Sequence, residues 1–432
     1  MNKVEEKVVN ENGMNIHFIQ SNKFKTINIV AKFKSPLERE TITNRALLPY
    51  ILKQGTKSYP SRQNLQLKLD DLYGAVLSID GAKKGENHII SFRLELANEK
   101  YIPEESSILE EGISLFSELL FQPNVSNNAF EEAAFNREKD TLKQKMNAIK
   151  DNKMSFANMR LIDEMCEGEP YQLHVHGYEE DLRSVTAETL YDYYKSMLTE
   201  DMLDIYVLGD FDEADAKEKL IKSMKRKEEK PKSEEAQQNK SERKQIDEPK
   251  EIIEEQKIQQ AKLHIGYRTN ATVRDQDYYA LQVFNGMFGG FPSSKLFINV
   301  REKNSLAYYA ASRLESHKGL LLVLSGIAPN DFEKARDIIK EQMSAMKAGD
   351  FTDTELNETK ELVVNQLLEI MDNPQGMIEL LYQQVLADKE MKPDQLIANI
   401  KKVTKDDVLN VAGNIEEDTV YLLTSEGGNS NE

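Results

Sequence analysis

The stretch SVTAETLYDYYKSMLTEDMLDIYVLG, residues 184–209, reads as one structural sentence, and KVTKDDVLNVAGNIEEDTVYLLT, residues 402–424, repeats it. Each opens on Val-Thr and places acids in the first helical turn, where the positive end of a helix dipole favours them. Each then runs through an amphipathic helix into an apolar, β-branched strand. Two further stretches match in the same way: FQPNVSNNAFEEAAFNREKDTLKQKM (121–146) and GDFTDTELNETKELVVNQLLEIM (349–371), each a turn with capping residues that opens a long helix. Strand signals also recur, INIVAKF and ENHIISFRLELA in the first half, AKLHIGYRT and GLLLVLSGIA in the second. The halves read as duplicates. Hairpin-like strands mixed with long helices predict an α+β fold, each half a mostly antiparallel sheet with helices on one face.

Between the halves runs KRKEEKPKSEEAQQNKSERKQIDEPKEIIEEQK, too polar to bury a core of its own. The expected division is 1–223, a charged linker 224–257, and 258–432. A chain of 432 residues exceeds what one core usually covers. Its net charge of -18 argues against a sequence-independent grip on nucleic acid, which needs a basic face. Cys166 is the single cysteine, so no disulfide can form within the chain. The start MNKVEEKVVNENG carries acids and no apolar run, and no stretch of eighteen apolar residues occurs, so the expectation is a cytoplasmic chain with no membrane partner.

Several stretches form a more specific pattern: NRALLPYILKQGTKSYPS (44–61), LDDLYGA (69–75), NREKD (136–140) and FNGMFGGFPSSKLFINVREKNSLAYYAASR (284–313). Together they resemble the M16 (pitrilysin or insulinase) peptidases of the short two-domain type, related to the mitochondrial processing peptidase subunits. The resemblance implies the LuxS/MPP-like metallohydrolase fold. Active members hold zinc with the inverted motif H-x-x-E-H on an early helix and a glutamate from a later one, the motif's glutamate polarising a bound water. Aligned on Gly55 and Thr56, this chain has Ala46 and Tyr50 at the ligand positions and Pro49 at the base; aligned on Glu138 and Lys139, it has Lys145 at the third ligand. A methyl offers no lone pair, a phenol is a poor neutral ligand, and an ammonium repels the metal. No resident metal or other cofactor is therefore expected, zinc being confined to a partner, and the chain is not expected to be an enzyme by itself.

What the resemblance retains is the Arg301–Tyr308 pair of REKNSLAY. In active relatives these two steady the substrate carbonyl and its oxyanion, work for a fixed cation and a phenol donor. Gly289, Gly290 and Ser293 are expected to touch substrate. The resemblance also extends to heterodimeric bacterial members in which one chain carries zinc and the other the Arg-Tyr pair, and to a Gram-positive group named for association with elongation factor P modification. It implies a non-catalytic, substrate-holding subunit whose partners are an H-x-x-E-H paralogue and an extended peptide.

Two other readings stay open. One is a stand-alone peptide-binding scaffold. The other is a divergent enzyme built on LHVHGYEE (173–180), the one cluster of histidines, although Gly177 within it favours a structural turn. His264 sits in a strand pattern and reads as packed core, while His17, His88 and His317 are isolated. Cys166 has no histidine near it in sequence, and the Ser293-Ser294 pair lacks a nucleophile elbow. The glycine run before it lacks phosphate-loop spacing and reads as the approach to a helix capped by Ser293 or Ser294.

Overall fold

The computed structural model describes residues 5–102, 107–224, 226, 246 and 248–426. They form two compact units, one of residues 1–148 and 173–241, the other of 149–172 and 242–432. Most of the expected linker lies outside the described residues.

The first unit is built on a six-stranded sheet of order β1-β2-β8-β3-β5-β4. Its strands are β1 (Glu6–Glu11), β2 (Met14–Gln20), β3 (Thr26–Pro36), β4 (Val76–Lys84), β5 (Asn87–Ala97) and β8 (Met202–Gly209). A two-stranded ladder, β6 (Val125–Ser126) with β7 (Ala129–Phe130), stands apart. The second unit carries β9 (Lys250–Gln256), β10 (Ala261–Arg268), β11 (Ala307–Glu315), β12 (Leu320–Ile327) and β13 (Glu416–Ser425) in the order β11-β12-β10-β13-β9.

The duplication expected from the sequence is visible as topology. Both sheets are antiparallel except at one pairing, β2 with β8 and β9 with β13, the same place in each. Thr186 and Thr404 cap the helices Ala187–Glu200 and Lys405–Gly413 with capping boxes, and each helix feeds the buried strand β8 or β13. In the second long pair, Thr352 caps Asp353–Met371 in the same way.

Alternation sets the faces. Ile27, Ile29, Ala31 and Phe33 of β3 join Ile90, Phe92 and Leu94 of β5 in a core with Leu47, Leu48, Phe116 and Leu120 from the helices Ile42–Leu52 and Ile108–Phe121. Leu263, Ile265, Val323 and Val420 do the same for the second sheet with Phe284, Ile339 and Val408.

Two features depart from expectation. Residues 250–256, assigned by composition to the linker, form β9, paired along β13. Its burial alternates strictly, so half of its side chains meet solvent and a Glu-rich segment can still be a strand. The opposite face of the second sheet is also covered. Ala157, Leu161 and Met165 of the helix Lys153–Met165, from the first half of the chain, pack on Leu320, Leu322, Tyr421 and Leu423. Residues 149–172 thus belong to the second unit, which a division near 224 does not anticipate.

Among the described residues β1 has no counterpart in the second sheet, and beside its antiparallel ladder with β2 it meets His17 of that strand. That ring stacks on Tyr206 at 4.2 Å, meets Glu6 of β1 through Nδ1 at 2.8 Å and Asp204 of β8 through Nε2 at 3.3 Å. Burial opposes its protonation, but Asp204 and Glu6 outweigh burial and raise the pKa. A histidine raised in the folded state stabilises fully below its unfolded value, near 6.5, and loses that contribution as pH rises through the folded value. Hydrogen-exchange protection factors across Glu6–Glu11 should therefore fall as pH rises above about 6.5, and His17→Gln should flatten that dependence.

No helix among the described residues is long and apolar enough to cross a bilayer.

Candidate functional site

Residues 42–52, ITNRALLPYIL, form a mostly apolar helix with Pro49 inside it. Ala46 is 6% exposed and packs in the first core, Pro49 is buried, and Tyr50 packs against the same core. Burial, then the Glu138 carboxylate, raises the Tyr50 phenol above its ordinary pKa, so it stays neutral and protonated. Lys145 lies exposed on the helix Glu132–Asp151. The resemblance puts these side chains where active M16 members have two histidines, a general base and a glutamate, and by their chemistry they do not fit zinc.

The residue before Ala46 has a different role. Arg45 is fully buried and all five of its N–H groups are used. Nε donates to His88 Nδ1 at 3.1 Å, Nη1 to Asp201 Oδ2 at 2.7 Å and to the Tyr193 hydroxyl at 3.1 Å, and Nη2 to the Phe33 and His88 carbonyls, each at 3.2 Å. Burial, with Arg45 next, drives the His88 pKa well down, which keeps its ring neutral and able to accept from Arg45. The family-like GTKSYPS turn survives for a structural reason too. Thr56 is buried, its N–H donates to Tyr59 O at 2.8 Å and its hydroxyl to Glu118 at 2.8 Å, while Ser61 caps the next helix.

LHVHGYEE is a turn, as expected. Gly177 takes a left-handed φ of +71° and donates to His174 O at 2.9 Å. The Tyr178 ring is stacked by His174 at 4.9 Å and by the Arg39 guanidinium at 3.8 Å. Burial, then Lys145 and then His174, lowers the His176 pKa. The neighbour of His176 from the third-ligand position is thus a cation. Among the described residues no group of three or more His, Cys, Asp or Glu side chains could hold a metal ion. Purified chain exposed to Zn²⁺ and then dialysed should retain well under one equivalent by elemental analysis; a full equivalent that vanishes in His174→Ala/His176→Ala would return the metal to this turn. His264 is buried in the second sheet, as its strand pattern implied.

Arg301 and Tyr308 do come together. They line one open depression of about 650 Å³ in the second unit with Gln259, Gln260, Ser305, Gly326 and Asp331. Local backbone places both. The helix that follows Ser294 runs as a π-helix over Phe297–Lys303, a form that recurs at functional sites. It ends where Ser305 takes a φ of +52° and donates to Arg301 O at 3.0 Å. The chain then enters β11 with a bulge: Ala307 pairs with Ile327 and Tyr309 with Gly326, leaving Tyr308 out of the ladder. Tyr308 is consequently 79% exposed. Arg301 stacks on Phe297 at 4.6 Å, which restrains the guanidinium and leaves it partly exposed.

Gly289, Gly290 and Ser293 are not among the residues lining that depression. Gly289 is buried against Ser312, so its absence of a side chain serves packing. Ser293 is exposed, and Ser294 is the cap, accepting from Phe297 N at 3.4 Å.

Comparison with known proteins gives the family. Residues 184–363 match the family model described as Peptidase M16 inactive domain. The chain is 47% identical over 433 residues to the Bacillus subtilis "Probable inactive metalloprotease YmfF", covering all of both chains. The chain belongs to the M16 peptidase family. Another relative from the same organism, "Uncharacterized zinc protease YmxG", is 25% identical over 318 residues, 70% of this chain and 73% of that one. Among solved structures, a conserved protein from Enterococcus faecalis V583 superposes with a TM-score of 0.89 at 31% identity, covering 99% of this chain and 100% of the other. Within the M16 family this chain is a member without the H-x-x-E-H motif, a non-catalytic one. Sequence reasoning missed Arg45 and the bulge at Tyr308. An arginine inside an otherwise apolar helical run was the available signal for the first; a bulge has none.

Proposed function

We propose that the chain is the substrate-holding subunit of a heterodimeric M16 zinc peptidase of the cytoplasm, lending Arg301 and Tyr308 to the zinc site of an H-x-x-E-H partner. The observation that carries this reading is the pairing of a partly exposed guanidinium and an exposed phenol on one depression, in a chain whose own ligand positions are Ala46, Tyr50 and Lys145. A fixed cation and an O–H donor beside a peptide carbonyl stabilise the negative charge that develops on its oxygen. Without a metal and its water close by, no such charge develops, so the pair calls for a second chain. That Bacillus subtilis has both an inactive-type and a zinc-protease relative of this chain supports a division of labour.

Mixing the chain with an H-x-x-E-H M16 chain from its own cell should give a complex that cleaves extended peptides far faster than either chain alone. A zinc chain fully active by itself, unaffected by the mixture, would remove the lending role. The scaffold reading gains from one observation: β11, which carries Tyr308, ends its sheet and could accept a peptide by strand addition. Peptide binding with no effect on any partner's cleavage would decide for it.

A further inference from the structure

The depression that holds Arg301 and Tyr308 has a third polar group whose direction is fixed by chemistry. Gln260, just before β10, is half-buried and lines the depression. The Lys262 ammonium donates to its side-chain oxygen at 2.5 Å. An ammonium has hydrogens to give and no lone pair to offer, so the oxygen is the atom that faces Lys262. The amide N–H groups, the donors of that side chain, are the atoms left to turn elsewhere. Lys262 is itself held, its ammonium 5.6 Å from the centroid of the Tyr309 ring.

The backbone makes room for this arrangement. A methyl added at Gly326 would come within 2.5 Å of the Tyr309 ring and 3.0 Å of the Gln260 oxygen. Gly326 is also the residue that pairs with Tyr309 across the bulge exposing Tyr308. One bare position therefore accommodates both the amide and the bulge.

We propose that Gln260, with its oxygen pinned by Lys262, donates an amide N–H to a backbone carbonyl of an extended peptide lying across this depression. Lys262 is a positioning residue and Gln260 a binding residue. The inference rests on the reading that the depression holds peptide. Recognition through a backbone carbonyl carries no side-chain preference, so the subunit grips peptides by main chain here and leaves selectivity to other contacts.

A fluorescent nonapeptide of Ala, Ser and Asn, capped at both ends so that backbone amides dominate its polarity, is titrated against the isolated full chain by anisotropy. Wild type should bind, with Gln260→Ala and Gln260→Glu each weakening binding about tenfold, the cost of one good hydrogen bond. The glutamate still accepts from Lys262 but has no N–H to give. Lys262→Met should weaken binding by a smaller factor, and Lys262→Arg should restore it. No binding by wild type, or a Gln260→Glu chain that binds as wild type does, overturns the inference. In the reconstituted pair, Gln260→Ala should raise KM and leave kcat nearly unchanged. If Arg301→Ala and Tyr308→Phe lower turnover while Gln260→Ala changes neither constant, the lending role stands and the Gln260 assignment falls. If Gln260→Ala weakens peptide binding to the isolated chain but no pair is active, the Gln260 assignment stands and the lending role falls.

Discussion

Tyr308→Phe should cut peptide turnover by the reconstituted pair about a hundredfold to a thousandfold, the usual loss when one preorganised oxyanion donor is removed, while assembly stays normal. The variant loses one oxygen from a side chain that is 79% exposed and outside the strand ladder, so folding gives it little to disturb. Arg301→Ala should act in the same direction, and the double variant should lose less than the product of the two, since both groups serve one charge. The effect belongs in kcat, because the oxyanion exists only on the way through the reaction. Gel filtration checks assembly and initial rates check turnover. Unchanged rates in both single variants would make the pair structural and leave the scaffold reading in its place.

The largest effect on stability should come from Arg45→Met. A methionine of similar length fills the space but abandons five hydrogen bonds and leaves Asp201, 5% exposed, without its cation. Breaking a buried ion pair from one side typically costs about 3–5 kcal/mol. Burial already raises the Asp201 carboxyl above its ordinary pKa, with Arg45 holding the rise back. Removing Arg45 lets it rise further. A carboxylate whose pKa is higher folded than unfolded favours the folded state as pH falls, so the deficit should shrink toward pH 5 and be fullest near pH 8. Hydrogen exchange across β3 and β8 measures this, and Arg45→Met/Asp201→Asn should recover part of the loss at high pH. A deficit equal at both pH values would show that Asp201 remains ionised or is met by another cation.

Much of the fold was written locally. Val-Thr followed by acids signals a cap, and the cap set helix, strand and repeat at 184–209 and 402–424. The expectation of no zinc at Ala46, Pro49, Tyr50 and Lys145 needs only their donor chemistry, a property of residue type alone. What stayed hidden depends on partners distant in sequence. The helix Lys153–Met165 has an apolar face, but nothing local says that this face belongs on Leu322 and Leu423. Strand β9 looked like linker because Glu251 and Glu255 face solvent and its half-buried positions include Lys250, Glu254 and Gln256, a composition with little apolar signal. The exposure of Tyr308 follows from which residues of β12 it fails to pair with, and register is not encoded in composition.

The loan of that helix also sets an order of events during synthesis. Leu161 and Met165 leave the ribosome long before Tyr421 and Leu423, the strand residues they cover, have been made. At roughly 5–20 residues per second the interval is on the order of 10–50 s. For that time a nascent first half carries an apolar helix with its destination still untranslated. Such a chain depends on a chaperone, or on its own half-finished core, to keep that face from the wrong neighbour. A fragment that stops at the charged segment would expose it permanently, so dividing this protein at its most polar stretch should yield two insoluble pieces.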